Sequence, residues 1–465
     1  MPAIEAVSHA IHPTALRAYD IRGVVGQMLR PEDARAIGRS FGTIVARAGG
    51  RRVAVGRDGR LSSPQLEAAL VDGLQAAGID GLRIGLGPTP MLYFSAHDLG
   101  CDAGVMVTGS HNPADWNGFK LVLHGRPFHG ADIRALGAMA AAGDWCSGAG
   151  TVADVSMIDR YVDRLLQDFR AAAFSIAWDC GNGAAGPVVQ RLVQRLPGTH
   201  HLLFADVDGR FPNHHPDPTV EPNLADLKRA VATHGCDFGV AFDGDADRIG
   251  AVDGQGRVVW ADELLGILAA PVLAEVPGST IVGDVKASQA LYDRISALGG
   301  KPLMWKSGHS LMKAKMAETG SPIGGEMSGH IFFQHRWYGW DDGILAALRL
   351  IEAVAALGGS LTALKDAMPV MVNTPELRWP CREDRKFAVV GEVLARLRAA
   401  GAAVDETDGA RVNRADGWWL LRASNTQAVL TARVEARDAA ALERLRGELL
   451  GELAASGVTP DFSSH

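Results

Sequence analysis

The sequence lacks the features that mark several specialised classes of protein. Its five cysteines lie far apart, without the paired spacing of zinc or thioredoxin motifs, and we expect buried free thiols in a reducing compartment. No run approaches the roughly 18 apolar residues that a membrane helix needs. The N-terminal residues also lack a basic segment followed by an apolar core, as a secretion signal would have. These absences predict a cytoplasmic protein with no membrane partner.

An excess of positive charge is also missing. The net charge is −7, and residues of both signs are interspersed along the chain. This argues against an extended nucleic-acid surface but allows a local cationic pocket. Apolar residues at 47% and charged residues at 21% are ordinary for a soluble globular protein. A length of 465 residues exceeds one hydrophobic core and predicts three or four domains.

Apolar runs of strand length alternate with helical periodicity through most of the chain. Strands are predicted at 52–56 and 82–86, with a helix at 64–77 between them. A second series begins with a strand at 175–179 and includes a helix at 224–234. This alternation predicts parallel strands, helices on the faces of the sheets, and binding loops at the carboxyl ends of strands.

Two segments of the chain resemble each other. Residues 101–110 are Cys-Asp-Ala-Gly-Val-Met-Val-Thr-Gly-Ser, and residues 236–245 are Cys-Asp-Phe-Gly-Val-Ala-Phe-Asp-Gly-Asp. Cysteine, aspartate, glycine, valine and a second glycine fall at equal spacing, which predicts an internal repeat in which Ser110 aligns with Asp245. A third unit fits more loosely, with its first strand at 279–284.

The pattern changes near residue 370. Residues 429–434 alternate as in a strand, and helices are predicted at 387–399 and 439–453, without the repeated loop. We therefore predict an α/β protein of three similar domains with mixed, mainly parallel sheets, plus a smaller C-terminal α+β domain, around a central cleft. The predicted boundaries are 1–153, 154–256, 257–369 and 370–465.

A serine stands where the strand of the first repeat ends. The apolar run 105–107 gives way to Thr-Gly-Ser-His-Asn-Pro at 108–113, where glycine removes a crowding Cβ and Asn-Pro turns the backbone. The Ser110 hydroxyl is then expected to project into a cleft beside His111. Such a serine can be a nucleophile or carry a phosphoryl group. The alternative is a polar turn that caps the next helix.

Three carboxylates follow the strand of the second repeat at alternate positions. Asp243, Asp245 and Asp247 concentrate negative charge that a cation would relieve, and their hard oxygen ligands suit Mg²⁺. An EF-hand is excluded because Arg248 and Gly254 stand where that motif requires glycine and glutamate. Two alternatives remain open: an aspartyl phosphatase with Asp243 as nucleophile, and a solvated turn.

Three further polar loops are candidates for ligand binding. Glu326, Ser328 and His330 alternate between glycines, which suits a polyhydroxylated ligand, although a polar hairpin has the same composition. Segment 306–309 adds a lysine and a histidine near a strand end. Segment 422–426, Arg-Ala-Ser-Asn-Thr, has the composition of a phosphate-binding turn because arginine can bind phosphate oxygens bidentately.

Together, these loops resemble those of one family. Four motifs occur in the order expected of the α-D-phosphohexomutases, namely Thr108-Gly109-Ser110-His111-Asn112-Pro113, Asp243 to Arg248, Gly325-Glu326-Met327-Ser328-Gly329-His330 and Arg422-Ala423-Ser424-Asn425-Thr426. The best match is the bacterial phosphomannomutase/phosphoglucomutase branch. Segments 18–23, 56–58, 284–286 and 305–309 also look like family segments, so the resemblance covers nearly the whole chain.

The resemblance implies roles for residues of the first two loops. The serine matching Ser110 would carry a phosphoryl group in the resting state, and Asp243, Asp245 and Asp247 would hold Mg²⁺ against it. Arg248 would add positive charge during transfer. Lys120 is the position that we name for proton transfer near the serine. Arg22, His309 and His330 are further acid, base or orienting candidates, which the sequence does not rank.

The resemblance also implies the reaction and its ligands. A phosphoryl group would move reversibly between C6 and C1 of mannose or glucose phosphates, through a hexose 1,6-bisphosphate that is both intermediate and activator. One phosphate must be gripped while the other reacts. The residues implied in substrate binding are Tyr19, Lys286, Glu326, Ser328, His330, Arg422, Ser424, Asn425 and Thr426. We expect a monomer or weak oligomer with small hexose phosphates as its partners.

The chain departs from the family pattern in two places, and three other functions compete. Gln427-Ala428 replaces the usual Glu-Pro or Thr-Pro, and Trp116 stands where tyrosine is common. A phosphoglucosamine mutase would usually have glutamine at Met327 and glycine at Asn425, so both positions argue against it. A Mg²⁺-dependent phosphatase using Asp243 would release inorganic phosphate. A sugar-phosphate binding protein would show no turnover.

Overall fold

The computed structural model describes residues 8–424 and 428–459, and its strands form four sheets. We call each sheet with its helices a unit. The first unit contains β1 (Ile21–Val24), α1 (Pro31–Arg47), β2 (Arg52–Arg57), α2 (Ser63–Ala76), β3 (Asp80–Leu86), α3 (Thr89–Asp98), β4 (Ala103–Val107), β5 (Trp116–Leu123), β6 (Arg126–Pro127), α4 (Ala131–Ala142) and β7 (Val152–Asp154). Among the described residues, no helix is long and apolar enough to cross a bilayer.

The other units follow in chain order. The second unit contains α5 (Ile158–Gln167), β8 (Phe174–Asp179), α6 (Gly186–Val193), β9 (Gly198–Leu203), α7 (Ala225–His234), β10 (Phe238–Phe242), β11 (Ile249–Asp253) and β12 (Val258–Val259). The third contains α8 (Ala261–Glu275), β13 (Thr280–Asp284), α9 (Gln289–Ala297), β14 (Lys301–Trp305), α10 (His309–Thr319), β15 (Ile323–Gly325), β16 (Ile331–Phe333), α11 (Gly343–Ala356) and α12 (Leu361–Asp366). The fourth contains β17 (Val372–Asn373), β18 (Leu377–Pro380), α13 (Lys386–Ala399), β19 (Val404–Asp405), β20 (Ala410–Arg414), β21 (Gly417–Ala423), β22 (Val429–Ala436) and α14 (Ala439–Ala455).

The first three sheets share one topology. Their common strands lie in the order β3-β2-β4-β5, β9-β8-β10-β11 and β14-β13-β15-β16. In each set the first three strands are parallel and the fourth is antiparallel to the third. The predicted internal repeat and the mixed sheets are therefore confirmed. Strands β4 and β10 are fully buried, as continuous apolar runs covered on both faces should be.

The repeat places three polar loops at equivalent positions. Each loop joins the third strand of its sheet to the antiparallel fourth strand: 108–115 between β4 and β5, 243–248 between β10 and β11, and 326–330 between β15 and β16. The element that follows the Ser110 loop is thus strand β5 and not a helix. The alternative of a turn that caps the next helix is therefore wrong. Because equivalent loops lie at equivalent sheet edges, the same arrangement of strands holds the serine loop, the aspartate loop and the loop with Glu326.

The fourth unit has a different sheet and its own core. All of its strand pairs are antiparallel. One apolar cluster contains residues of the first three units, whereas the core of the fourth unit, around Trp419 and Leu445, is a separate cluster. A small apolar contact between Val285, Trp418 and Leu420 joins the third and fourth units. The predicted α+β character of the C-terminal unit is confirmed.

Candidate active site

The loops of the first and second units meet at Ser110. Its hydroxyl donates a hydrogen bond to Asp243 Oδ2 at 2.7 Å, and both side chains are buried. The backbones also touch, because a Cβ on Gly244 would lie 2.4 Å from the carbonyl oxygen of Ser110. Helix α3 adds a second link between the units, since Thr89 N donates to the carbonyl oxygen of Asp245 at 2.8 Å. The structure therefore brings the predicted serine and aspartates together.

Ser110 is held in an uncommon backbone conformation by groups that the sequence analysis did not single out. Its φ is +48°, in the left-handed region, and its backbone N–H donates to Thr108 Oγ1 at 2.9 Å. The Thr108 hydroxyl and the Gly109 N–H in turn donate to Asp58 Oδ2, at 2.8 and 3.1 Å. A side chain would not fit at Gly109, because its Cβ would lie 2.4 Å from Arg60 Nε. The loop is thus locked by buried hydrogen bonds.

A buried guanidinium completes this lock. Arg60 is 1% exposed and donates to the carbonyl oxygens of four residues: Ser110, Asn112, Pro113 and Trp116, at 2.7, 2.6, 2.5 and 3.0 Å. Asp58 balances its charge at 3.2 Å. Arginine suits this role because its planar group carries five donors. The sequence signal for Arg60 is weak, since one arginine after Asp58-Gly59 resembles any surface turn.

We expect Arg60→Met to destabilise the protein by roughly 3 kcal/mol or more, because four backbone carbonyls of the serine loop would lose their donor. The thermal unfolding midpoint measures this loss. Arg47→Met is the matched control: it breaks an exposed pair with Asp144, and such pairs contribute little to stability because water screens them. Equal midpoints for the two variants would contradict the role of Arg60.

The aspartate loop forms a buried site of three carboxylates. Ligand oxygens of Asp243, Asp245 and Asp247 all lie within 4.8 Å of one another, and the three side chains are buried. Asp245 Oδ1 and Asp247 Oδ1 have no hydrogen-bond partner. Buried carboxylate oxygens without partners are costly unless a cation binds them. This geometry and donor chemistry therefore fit a hard divalent cation, with the Ser110 oxygen beside it.

Lys120 makes its direct contacts with the aspartates and not with the serine. Its ammonium group donates to Asp245 Oδ2 at 2.7 Å and also to Asp247 Oδ2. Burial opposes its charge, but these carboxylates raise the pKa of Lys120 above its usual value. Burial, together with Asp245 and Asp247, holds the pKa of Asp243 well above its usual range, whereas Lys120 lowers that of Asp245 despite burial. A bound divalent cation would favour the charged form of all three carboxylates.

The second and third loops are joined by a short bridge. Arg248 and His330 form an isolated antiparallel pair, and Arg248 Nε donates to His330 Nε2 at 2.9 Å. The Arg248 N–H donates to Asp243 Oδ1 at 3.2 Å. His309, at the start of α10, stacks on His330 with ring centroids 5.6 Å apart. Burial holds the pKa of His309 well below its usual value. The predicted Arg248, His309 and His330 therefore lie together.

The remaining predicted residues of the first and third units contact, or lie on, the serine loop, the 326–330 loop or segment 306–309. Arg22 Nη1 donates to Asn112 Oδ1 at 2.5 Å, next to the serine loop. Glu326 Oε1 accepts from Gly308 N at 2.5 Å, and burial raises the pKa of Glu326. The Tyr19 hydroxyl donates to the carbonyl oxygen of Ser307 at 3.2 Å. Ser328 is half-buried on the same loop as Glu326.

The fourth unit contributes a further cationic side chain, that of Arg422. Arg422, 8% exposed, donates to Asp408 Oδ2 at 2.8 Å, and Asp408 Oδ2 also accepts from Ser307 N at 3.1 Å. Lys286 contacts Glu376 at 3.1 Å, and despite burial this charge lowers the pKa of Glu376 to about 2. Buried Ser424 ends the described part of this loop. Asn425 and Thr426 lie outside the described residues.

Comparisons with known proteins agree with this arrangement. Family profiles described as phosphoglucomutase/phosphomannomutase alpha/beta/alpha domains I, II and III and C-terminal domain match residues 13–145, 159–256, 260–371 and 376–452. A phosphomannomutase/phosphoglucomutase of Pseudomonas putida is 45% identical over 441 residues, which are 95% of each chain. One from Pseudomonas aeruginosa is 43% identical over 440 residues, 94% of this chain and 95% of the relative.

A solved structure is equally similar. It is described as a phosphoglucomutase/phosphomannomutase family protein from Burkholderia thailandensis and is 42% identical in sequence. The alignment covers 96% of this chain and 98% of that chain, with a TM-score of 0.91. The likeness therefore includes all four units and their order along the chain.

Proposed function

The chain belongs to the phosphoglucomutase/phosphomannomutase family, and we propose that it moves a phosphoryl group reversibly between C6 and C1 of hexose phosphates. The sugar is mannose, glucose or both. The observation that carries the proposal is the 2.7 Å hydrogen bond from the Ser110 hydroxyl to Asp243 inside a site of three buried carboxylates. A hydroxyl in that position can hold a phosphoryl group next to a bound cation.

We propose that Ser110, Asp243, Asp245 and Asp247 hold Mg²⁺ in the working enzyme. When bound, the cation supplies positive charge that neutralises the transferred phosphoryl oxygens. Arg248 adds positive charge at the same place, since its guanidinium Nε lies 3.9 Å from Asp243 Oδ2. Lys120 keeps Asp245 and Asp247 in place by contacting both.

In the proposed cycle, Ser110 Oγ carries the phosphoryl group in the resting enzyme. A hydroxyl of the hexose monophosphate attacks the phosphorus, the Oγ–P bond breaks, and a hexose 1,6-bisphosphate forms. The bisphosphate turns over, Ser110 Oγ attacks its other phosphate, and the remaining monophosphate leaves. Each half-reaction passes one proton between a sugar hydroxyl and the serine oxygen. We assign Lys120, His309 and Arg22 to moving that proton or orienting the groups that exchange it.

The non-reacting end of the substrate needs its own contacts. We propose that Arg422, Ser424, Asn425 and Thr426 bind the idle phosphate, with Tyr19 and Lys286 beside them. Glu326 and Ser328 would bind sugar hydroxyls in both orientations of the ring, and His330 would do so where a hydroxyl replaces Arg248 at its Nε2. The acceptor groups Asp408 and Glu376, which now neutralise Arg422 and Lys286, would be exchanged for phosphate oxygens on binding. We propose a monomer or weak oligomer divided at about residues 153, 256 and 369.

Arg422→Ala is expected to raise KM for hexose phosphates by about 10- to 150-fold, because a charge-assisted hydrogen bond is worth roughly 1.5–3 kcal/mol. The loss should appear mainly in KM, since this residue binds the phosphate that does not react. Steady-state kinetics with glucose 1-phosphate measure it. Arg414→Ala, at the exposed end of β20 where Arg414 pairs with Glu448 at 3.1 Å, is the control. Unchanged KM in Arg422→Ala would refute the assignment.

The phosphatase alternative fits the geometry less well. Both oxygens of Asp243 already accept hydrogen bonds, from Ser110 Oγ and Arg248 N, so its carboxylate is not presented as a free nucleophile. A phosphatase would also release inorganic phosphate. The relatives named phosphomannomutase/phosphoglucomutase favour the mutase.

One comparison tests the proposal directly. Turnover of mannose 1-phosphate, glucose 1-phosphate and glucosamine 1-phosphate is measured under identical Mg²⁺ and with a trace of hexose 1,6-bisphosphate. We expect the 6-phosphates of mannose, glucose or both to form, without inorganic phosphate. Release of inorganic phosphate would favour the phosphatase, fastest turnover of glucosamine 1-phosphate would favour the phosphoglucosamine mutase, and no turnover would leave a binding protein.

A further inference from the structure

The imidazole ring of His330 is fixed on every side. Arg248 Nε donates to its Nε2 at 2.9 Å, and its Nδ1 lies 2.8 Å from Asp341 Oδ2. The ring is nearly parallel to the rings of His309 and Phe332, with centroids 5.6 and 6.1 Å away and interplanar angles of 14° in both cases. His330 is 3% exposed. These contacts hold the ring in place, and its two hydrogen bonds select one tautomer.

The hydrogen bonds identify the tautomer. An arginine Nε carries a hydrogen and cannot accept, so His330 Nε2 must present its lone pair to Arg248. The ring proton of the neutral imidazole is then on Nδ1, where it is donated to the carboxylate of Asp341. Asp341 is fully buried and follows the last strand of the third sheet. It therefore decides which ring nitrogen faces Arg248.

Asp341 is itself held by a lysine. Lys313 Nζ lies 2.9 Å from Asp341 Oδ1, and its side chain is 9% exposed. Lys313 is four residues after His309 on α10, so the helix presents the stacking ring and the lysine on one face. Its ammonium also lies 4.6 Å from the centre of the Tyr93 ring, on α3 of the first unit. Burial opposes the charge of Asp341, but Lys313 and then His330 bring the pKa of this carboxyl well below its usual value.

A second metal site is the competing explanation for these groups. Asp247, His330 and Asp341 also have ligand atoms within 4.8 Å of one another. However, His330 Nδ1 is already engaged with Asp341 Oδ2, and Asp341 Oδ1 is engaged with Lys313. A cation between these three residues would have to break both contacts. The unpartnered Oδ1 atoms of Asp245 and Asp247 remain available to a cation on the aspartate loop.

We infer that Lys313 and Asp341 are positioning residues for the reaction, acting through His330. Asp341 fixes the tautomer and angle of the ring, Lys313 fixes Asp341, and the lone pair of Nε2 is thereby kept toward Arg248 beside the Ser110–Asp243 contact. This inference rests on the mutase proposed above. It assigns a function in the active site to a lysine whose nearest polar partner, Asp341, is neither a proposed metal ligand nor a proposed substrate contact.

Kinetics of Lys313 variants test the inference. We expect Lys313→Met to lower kcat about 10- to 100-fold, the range typical of removing groups that orient metal-bound histidines, with KM within about threefold. Lys313→Arg should recover most of the loss because it restores the charge. Lys315→Met is the matched control on the same helix, where Lys315 pairs with Glu318 at 2.6 Å and lies over Trp305. Equal kcat for the methionine variants, or a change in KM alone, would overturn the inference.

Nuclear magnetic resonance gives a readout that does not depend on turnover. In protein labelled with ¹⁵N-histidine, two-bond proton–nitrogen correlations distinguish the tautomers, and His330→Gln assigns the signal. We expect His330 to be protonated on Nδ1 in the parent and to shift toward Nε2 in Asp341→Asn, because Lys313 needs the amide oxygen as its acceptor and so turns the NH2 group, a donor, toward Nδ1. The same His330 tautomer in the parent and in Asp341→Asn would overturn the inference. This test remains valid if Lys313→Met does not fold. If the parent shows the expected tautomer but no mutase turnover, the proposed function fails instead.

Discussion

Ser110→Ala is expected to lose mutase turnover by roughly 10⁴-fold or more, because the hydroxyl that would carry the phosphoryl group is gone. The fold should persist. Removing the hydroxyl deletes its hydrogen bonds to Asp243 and His111, whereas the Arg60 and Asp58 contacts that shape the loop involve backbone atoms and remain. Steady-state turnover of glucose 1-phosphate measures the loss, and intact-protein mass spectrometry shows whether the parent carries one more phosphoryl group than the variant.

The control for this prediction is another buried serine of the first unit. Ser95 donates its hydroxyl to the carbonyl oxygen of Met91 within α3, away from the serine loop. Ser95→Ala should retain turnover and phosphorylation. Near-parent turnover of Ser110→Ala would exclude the serine as phosphoryl carrier. Masses of parent and Ser110→Ala that differ only by the serine oxygen after incubation with hexose 1,6-bisphosphate would exclude it as well.

The second large effect is expected from metal removal. Chelation should abolish turnover and added Mg²⁺ should restore it, because three buried carboxylates would otherwise face the anionic phosphoryl group with only lysine and arginine to offset them. Asp245→Asn should raise the Mg²⁺ concentration for half-maximal turnover at least about 100-fold, since it removes one of the three charged ligands. A titration of turnover against Mg²⁺ measures both changes.

An aspartate elsewhere in the second unit serves as the control. Asp237 is exposed and accepts from Ser175 N at 2.7 Å, a bond that asparagine can also accept. Asp237→Asn should show the parent's Mg²⁺ dependence. Full turnover in chelated parent protein, or a parent-like titration for Asp245→Asn, would show that the aspartates do not hold a required cation.

Local sequence patterns predicted the strands and the loops after them. The apolar runs ending at Val107 and Phe242 form β4 and β10, and the polar residues after them converge as expected. This worked because a buried strand and the break that follows it are both encoded within about ten residues. The antiparallel strand after each loop was not predicted. In the third sheet this strand has only three residues, Ile331–Phe333, and its place is set by pairing with the preceding strand.

Contacts between distant segments were not predictable from local patterns. Arg60 lies 50 residues before Ser110, and only the folded loop shows that its guanidinium fits among four carbonyls. Lys120 was predicted to act near the serine, but its direct contacts with aspartates 125 and 127 residues away could not be read from the sequence. Lys313 resembles any helix-surface lysine in the sequence. Its role depends on Asp341, which the fold brings to it.

The separate core of the fourth unit has a consequence for how activity would be lost under stress. Among the described residues, the fourth unit has its own apolar core and joins the third through the contact of Val285 with Trp418 and Leu420 and through buried hydrogen bonds such as those from Arg411 to backbone carbonyls. We expect it to unfold as a separate cooperative block. Partial unfolding would then remove Arg422 from the proposed substrate site while Ser110 and the three aspartates stay together. On warming, the protein would first bind its sugar phosphate more weakly, and it would lose phosphoryl transfer only at a higher temperature.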